Sequence, residues 1–164
     1  MGRIVVFGGN GYVGSQVCRA ALALGLEVTS VNRSGCPSGK EEWIRKVQWV
    51  QGDILNSTNE KREVVRAALV GADGAVSCVG GFGNNKNMMH INGAANVNAV
   101  RMAQQAGTPL WLTIFPYPFH ALFYLLGVHR YFEGKIVAED AVAETFGKRA
   151  TILRPGFIFG VRKV

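Results

Sequence analysis

The chain has 164 residues, a formal net charge of +7 and a pI near 9.7, and 48% of its residues are hydrophobic. This length is that of one domain, and the apolar fraction excludes an intrinsically disordered chain. The lysines and arginines are scattered and form no run with interleaved aromatic residues, so the composition predicts no nucleic-acid surface.

Segments with a strand pattern alternate with segments with a helix pattern, and short connections join them. The predicted strands are Arg3–Phe7, Glu27–Val31, Val47–Gln51, Gly74–Val79, Leu110–Ile114 and Thr151–Leu153. The predicted helices are Tyr12–Leu24, a short stretch between Lys40 and Val47, Asn59–Val70, Met89–Ala106 and Tyr131–Phe146. This alternation predicts an α/β fold, a doubly wound parallel sheet in a three-layer α/β/α arrangement.

A glycine motif joins the first predicted strand to the first predicted helix. Gly8, Gly11 and Gly14 have the spacing GxxGxxG. The first glycine permits a tight turn, the second lets the backbone approach phosphates, and the third lets the helix pack closely on the sheet. The helix N-terminus then faces the anion with its N–H groups and its dipole. In this context the motif predicts that residues 1–164 form a single NAD(P)-binding Rossmann domain, with cofactor contacts from Gly8, Asn10, Gly11, Tyr12, Val13 and Gly14.

The end of the second predicted strand bears on which dinucleotide is bound. An NAD-specific site usually places an acid there, about 20 residues past the glycine motif, to bind the ribose 2′-hydroxyl. Here the chain reads Asn32-Arg33-Ser34, and Glu27 lies at the opposite end of the strand. A guanidinium binds a 2′-phosphate and no acid repels it, so these residues predict NADP, with NADPH preferred over NADH. The alternative is that Arg33 is an ordinary exposed loop residue.

Two further strand ends supply predicted cofactor contacts. Asp53 and Ile54 follow the third strand, where the carboxylate either accepts from the adenine amine or closes a turn. Cys78, Val79 and Gly80 stand at the end of the fourth strand, where small residues let the backbone pass close beneath the cofactor.

Cysteine and histidine spacing predicts no metal site. The three cysteines match neither a zinc spacing nor CxxC, which predicts reduced thiols in a reducing compartment. The three histidines show no ligand spacing either.

Tyr131 and Lys135 are the sharpest candidates for catalysis. They stand four residues apart at the start of the helix predicted after the fifth strand, so they share one face of that helix. An ammonium beside a phenol favours the phenolate, which predicts a lowered tyrosine pKa suited to general acid/base work.

Taken in order, these motifs resemble those of the short-chain dehydrogenase/reductase superfamily, in its extended and atypical branches. The resemblance covers nearly the whole chain and rests on the glycine motif, Gly52-Asp53, Asn92, Asn96, the Tyr131–Lys135 pair and the run from Leu153 to Gly160. Within the superfamily, the chain is similar to organellar members related to the dinucleotide-binding accessory subunit of respiratory complex I.

This resemblance implies further roles. Lys135 would hold the cofactor ribose, and Pro155-Gly156 would turn the backbone past the nicotinamide. Thr113 is the nearest counterpart of the family's catalytic serine, the alternative being an ordinary strand residue. Extended members continue into a C-terminal substrate lobe, so this chain is expected either to lack that lobe or to be a fragment of a longer protein.

An apolar stretch, residues 109–128, carries no formally charged side chain. Its length suits a membrane span, but three prolines interrupt it, so a spanning helix is not predicted. Residues 119–128 are expected either to pack as a core helix or to contact a protein partner or a membrane surface.

Two functions are compatible with these patterns. The first is an NADP(H)-binding accessory subunit, non-catalytic or weakly active, in an assembly peripheral to a mitochondrial or plastid membrane. The alternative is an NADPH-dependent reductase in which Tyr131, Lys135 and Thr113 act on a carbonyl or an enone. A cytoplasmic location is the alternative to an organellar one.

Overall fold

Among the described residues, six parallel strands form one sheet. The first three strands extend the sheet in one direction, and the last three extend it in the other. In this computed structural model, which describes residues 2–55, 59–114, 129–156 and 158–160, the strands are β1 (Arg3–Phe7), β2 (Glu27–Asn32), β3 (Gln48–Gln51), β4 (Gly74–Ser77), β5 (Trp111–Ile114) and β6 (Ala150–Leu153). Their order is β3-β2-β1-β4-β5-β6, and every neighbouring pair is parallel. This is the strand order of a doubly wound Rossmann sheet, so the predicted fold is confirmed.

Helices connect the strands. They are α1 (Tyr12–Ala23), α2 (Glu42–Lys46), α3 (Asn59–Leu69), α4 (Asn85–Met89), α5 (Ala95–Gln105) and α6 (His129–Phe146). A π-helical turn, His90–Ala94, joins α4 to α5, and a 3₁₀ turn, Gly147–Arg149, precedes β6. The predicted 119–128 segment lies outside the described residues.

The helix predicted at Met89–Ala106 differs most from the sequence prediction. It begins four residues earlier because the side chain of Asn84 accepts a hydrogen bond from the Asn87 N–H at 2.9 Å, a helix N-cap. It is also interrupted by the π-helical turn, which an uninterrupted helical pattern does not reveal. The other element bounds differ from prediction by one or two residues, as helix and strand ends usually do.

Both faces of the sheet are covered by apolar side chains. Phe7 lies on the face that packs against α3, α5 and α6, where its ring is 6.0 Å from Trp111 and Trp111 is 5.6 Å from Phe146. The next residue back, Val6, lies on the opposite face and packs with Cys18 of α1. Burial of both faces is what a central parallel strand requires, and it explains the continuous apolar run of β1.

Arg3 fastens the start of β1 to the end of α3. Its guanidinium donates to the carbonyl oxygens of Ala68, at 3.0 Å, and Val70. Its backbone N–H donates to the Asp73 carboxylate at 2.8 Å. The last carbonyls of a helix have no partners within the helix, and a cation there also complements the helix dipole. Arg3 therefore serves as a C-terminal cap supplied from another element.

Replacing Arg3 by methionine should lower the free energy of unfolding by about 1–2 kcal/mol, because two helix-end carbonyls lose a charged donor while the aliphatic packing is kept. Urea unfolding measures this change. Arg66→Met is the matched control, since Arg66 lies on the exposed face of α3 and pairs with Glu63 at 3.5 Å. An equal loss in both variants would show that Arg3 contributes only ordinary surface charge.

Candidate functional site

A cavity of about 470 Å³ lies at the carboxyl edge of the sheet, beside the point where the strand order reverses. Open α/β sheets bind ligands at this point. Most of the predicted cofactor contacts line the cavity: Gly8, Asn10, Gly11, Asn32, Arg33, Ser34, Asp53, Ile54, Cys78, Val79 and Gly80. Its other lining residues are Phe7, Val31, Gly52, Leu55, Ile91 and Ala95.

The glycine motif forms one wall of the cavity with its backbone. Gly8 has a φ of +81°, which a residue with a side chain rarely adopts, and its carbonyl accepts from the Gly11 N–H at 3.0 Å. A Cβ atom on Gly14 would overlap the Gly8 carbonyl oxygen, so only glycine permits this approach of α1 to β1. The helix has Gly11 at its N-cap, no side-chain cap and no acid in its first turn. Its N-terminal N–H groups and dipole therefore favour an anion.

A chain of hydrogen bonds links the glycine motif to the end of β2. The Asn10 side-chain amide donates to Ser34 Oγ at 2.7 Å, and Ser34 Oγ is 3.5 Å from Asn32 Oδ1. The Asn32 amide in turn donates to Ser30 Oγ at 3.3 Å. Arg33 lies within this turn, exposed and at the cavity wall. This series of hydrogen bonds holds the turn that places Arg33 at the cavity wall.

Two other lining residues have well-defined local environments. Asp53 Oδ1 accepts from the Leu55 N–H at 3.0 Å, so the carboxylate closes a turn as well as lining the cavity. Cys78 is a free cysteine, and burial, with a smaller effect from Cys18, raises the pKa of its thiol to about 12. Its thiol is therefore neutral and forms an apolar part of the wall.

The loop that follows β4, residues 78–83 and called the β4 loop below, is held by two buried asparagines. Asn92 donates to the Gly81 carbonyl at 2.8 Å and accepts from the Gly81 N–H at 3.2 Å. Asn96 donates to the Val79 carbonyl at 3.2 Å and accepts from Ser77 Oγ at 2.5 Å. Both asparagines lie on the helical segment from the π turn into α5, one turn apart. They fix the backbone of the β4 loop at two points.

Lys135 reaches the same loop from α6. Its Nζ donates to the Val79 carbonyl at 2.6 Å, and only 4% of the residue is exposed. The two helices approach closely here, since a Cβ on Gly134 would lie 2.8 Å from the Gly93 nitrogen. Burial lowers the pKa of Lys135 to about 7, and the nearby Cys78 opposes this slightly. The amine is thus fixed against the β4 loop and does not line the cavity.

Tyr131 lies beside Lys135, as their spacing predicts, but its pKa is not lowered. The Lys135 Nζ is 5.7 Å from the centre of the Tyr131 ring, over its face. The ring of Phe82 stacks on Tyr131 with a centroid distance of 4.7 Å and an interplanar angle of 10°. Burial raises the pKa of Tyr131 to about 12. The predicted lowering of this pKa is therefore wrong, because desolvation outweighs any stabilisation of the phenolate by the amine.

The remaining predicted residues lie outside the cavity wall. Tyr12, Val13 and Gly14 form the first turn of α1, behind the glycine turn. Thr113 is buried on β5 in register with Ser77, and its hydroxyl has no hydrogen-bond partner among the described residues. Pro155 and Gly156 follow β6.

No group of three or more His, Cys, Asp or Glu side chains in the described part of the chain could hold a metal ion. Among the described helices, none is both long enough and apolar enough to cross a bilayer.

Sequence reasoning missed the stacking of Phe82 on Tyr131 and the anchoring of the β4 loop. The signal for the anchoring was present, because Asn92 and Asn96 are four residues apart and buried polar side chains need partners. The signal for Phe82 was weaker: it is a large aromatic residue between Gly81 and Gly83 in a polar loop.

The sheet order, the glycine turn and the cavity define a Rossmann-like nucleotide-binding domain. The sequence matches the model of the NAD dependent epimerase/dehydratase family over residues 4–114, and the chain belongs to this family. It is 42% identical over 162 residues to a chloroplastic protein of Arabidopsis thaliana, covering 99% of this chain and 52% of that protein. It is 41% identical over 58 residues to MIOREX complex component 2 of Saccharomyces cerevisiae, 32% of this chain and 21% of that protein.

Solved structures share the fold at low sequence identity. WbmH of Bordetella bronchiseptica, in complex with NAD⁺, superposes with a TM-score of 0.73 at 17% identity, covering 100% of this chain and 58% of WbmH. A short-chain dehydrogenase/reductase superfamily protein of Agrobacterium tumefaciens with bound NAD gives 0.69 at 18% identity, covering 93% of this chain and 48% of that one. The chain thus spans about half the length of these relatives.

The buried amine of Lys135 should make stability depend on pH in a defined direction. Between pH 7 and 10.5 the native molecule keeps this amine neutral while the unfolded chain is protonated, so unfolding takes up a proton. Native stability from this group is therefore lost as pH falls from 10.5 toward 7. In Lys135→Met that dependence disappears, and the stability of the variant relative to the native protein should fall as pH rises, by roughly 1 kcal/mol per pH unit.

Urea unfolding at several pH values across this window measures the difference. Lys46→Met is the control, because Lys46 lies in an exposed ion pair with Glu42 at 2.8 Å. A stability difference for Lys135→Met that stays constant with pH would mean that the amine is charged in the folded protein.

Proposed function

We propose that this chain is an NADP(H)-binding domain that acts as an accessory subunit of an organellar assembly, with binding rather than turnover as its main role. The observation that carries this proposal is the contrast between two parts of the site. The cavity at the glycine motif is formed and open to a ligand, whereas Tyr131 and Lys135 are 6% and 4% exposed and engaged with the β4 loop. The cavity is thus accessible to a dinucleotide, whereas the two candidate catalytic side chains are buried.

A dinucleotide fits the residues that line the cavity. The backbone turn at Gly8 and Gly11 and the uncapped start of α1 suit a pyrophosphate. Asp53 stands at the end of β3, where the adenine would lie in this fold. Family membership and the NAD carried by the two solved relatives support the same ligand class.

The preference for NADP rests on the turn after β2. Arg33 is the cationic side chain among the cavity-lining residues, and Asn10 and Ser34 beside it offer an amide and a hydroxyl. A phosphate monoester on the ribose would find a guanidinium and two neutral polar groups there, which favours NADPH over NADH.

The accessory role and the organelle rest on the relatives and on the apolar stretch. One relative is chloroplastic and another is a component of a named complex, which supports an organellar protein that works in an assembly. The resemblance to the accessory subunit of respiratory complex I belongs to the same proposal. Residues 119–128, which carry no formally charged side chain, would supply the contact with a partner or a membrane surface.

The second candidate is an NADPH-dependent reductase. The observation in its favour is that Tyr131 and Lys135 share one face of α6 next to the cavity wall at Gly80, whose Cβ would lie 3.0 Å from Lys135 Nζ. Bound NADPH would supply the hydride. Tyr131, neutral with a pKa of about 12, would donate the proton to the substrate oxygen. Thr113 would act on the same substrate with its hydroxyl, in place of the family's catalytic serine.

Replacing Arg33 by alanine should weaken NADPH binding by roughly 10-fold or more, because a charge-assisted contact to the 2′-phosphate is worth about 1.5–3 kcal/mol. NADH binding should change by less than about twofold. Isothermal titration with both dinucleotides measures this. Arg45→Ala, on α2 outside the cavity lining, is the control. Equal losses for NADPH and NADH would contradict the 2′-phosphate role, and a native protein that binds neither would overturn the proposal.

Two further variants separate the accessory role from the reductase. Gly11→Asp places a side chain where a Cβ is already 3.2 Å from the Gly8 carbonyl oxygen, and adds a negative charge at the pyrophosphate site, so dinucleotide binding should be lost. Tyr131→Phe removes the proton donor and leaves the cavity unchanged. If the protein is an accessory subunit, Tyr131→Phe should still enter its assembly on native gels of organelle membranes, and Gly11→Asp should not.

The uncharged variant Gly11→Asn controls for side-chain size, and thermal melts confirm that each variant folds. The reductase predicts a different outcome: NADPH oxidation with a panel of carbonyls and enones that Tyr131→Phe abolishes. Such turnover would overturn the accessory role as the main function.

A further inference from the structure

The β4 loop touches both the cavity and the Tyr131–Lys135 pair. Cys78, Val79 and Gly80 line the cavity, and two residues past Gly80 in the same loop Phe82 lies against Tyr131. Ile91 also lines the cavity, and a Cβ on Gly81 would lie 3.6 Å from its side chain. A ligand in the cavity is therefore in contact with the loop that carries Phe82.

Phe82 is an unusual loop residue. It is 71% exposed, yet the ring that it stacks on belongs to a tyrosine that is 6% exposed. Single exposed apolar side chains are common on protein surfaces, so what sets Phe82 apart is the buried ring on which it lies. Here the covered face lies parallel to Tyr131, at 4.7 Å and 10°.

Glycines flank Phe82 on both sides. Gly80 and Gly81 precede it and Gly83 follows it, and glycine gives the backbone the widest range of conformations. The asparagine anchors hold Val79 and Gly81, and Phe82 lies beyond the second anchor. The loop is thus held by hydrogen bonds where it meets the cavity, and Phe82 lies between the second anchor and the Asn84 N-cap of α4 with a glycine on each side.

We propose that Phe82 is an autoinhibitory cover over Tyr131, which keeps the phenol from solvent and substrate until a dinucleotide displaces it. The trigger is the nicotinamide half of NADP(H), which would extend from the cavity along Val79 and Gly80 toward the Tyr131–Lys135 pair. The cover itself stands on the contacts described here, whereas its opening rests on the proposed NADP(H) function.

Tyrosine nitration tests the cover without any cofactor. Tetranitromethane attacks phenolates, and site-resolved mass spectrometry measures the rate at Tyr131. Removing the cover in Phe82→Ala lets the pKa of Tyr131 fall from about 12 toward its ordinary 10.0, so nitration should rise by roughly tenfold or more. Phe82→Leu, which keeps apolar bulk, should give a smaller increase.

Leu24→Ala is the matched control, because Leu24 is an exposed apolar residue at the end of α1, on the opposite edge of the sheet. Nitration of Tyr12 in the same molecules reports whether the fold is intact. Equal nitration of Tyr131 in native protein and Phe82→Ala would overturn the cover.

Binding tests the opening step. If the Phe82–Tyr131 stack must break when the nicotinamide half binds, Phe82→Ala should bind NADPH several-fold more tightly than native protein does. Adenosine 2′,5′-bisphosphate, which lacks the nicotinamide half, should bind both proteins equally. Equal NADPH affinity in the two proteins would overturn the opening step. Absence of binding by both ligands would instead contradict the proposed function, and the nitration result would still decide whether the cover exists.

Discussion

The close approach of α1 to the end of β1 is the constraint on which the site depends. The Gly8 carbonyl must point toward the helix because the Gly11 N–H binds it at 3.0 Å and closes the turn. That leaves no volume for a side chain at Gly14, whose Cβ would overlap the same oxygen. Because the turn and the helix start share one carbonyl, the helix N-terminus is fixed at the carboxyl edge of the sheet. The cavity and its preference for anions follow from this placement.

A second backbone contact determines the other end of the site. Gly93 and Gly134 bring the π turn and α6 together, and Lys135, the next residue, then reaches the Val79 carbonyl. The same carbonyl accepts from Asn96, so one loop oxygen receives two buried donors. Buried polar groups are costly without partners, and this arrangement satisfies the amine and the amide together. The β4 loop is therefore a shared wall between the binding cavity and the Tyr131–Lys135 pair.

The sequence predicted the fold and the cavity better than it predicted the state of the reactive pair. Alternating apolar runs and the Gly8–Gly14 spacing depend on local geometry, which the chain order encodes directly. The pKa of Tyr131 depends instead on its burial in the folded chain, and one of the rings that pack on it, Phe82, lies 49 residues away in the sequence. Spacing placed Lys135 next to the tyrosine correctly, but it did not show that the amine lies over the ring face and binds a backbone carbonyl.

Under the proposed cover, the two candidate functions correspond to two arrangements of the β4 loop. With Phe82 on Tyr131, the phenol is desolvated and the amine is engaged, so the domain can hold a dinucleotide at the glycine motif without being set for proton transfer. With Phe82 displaced, the same two side chains would face the open end of the cavity across Gly80. A ligand that contacts Val79 and Gly80 would shift the balance between the two arrangements toward the one with which it makes better contacts. Under the same proposal, whether binding leads to chemistry would depend on how much of the dinucleotide reaches past Gly80, and thus on the β4 loop rather than on the glycine motif.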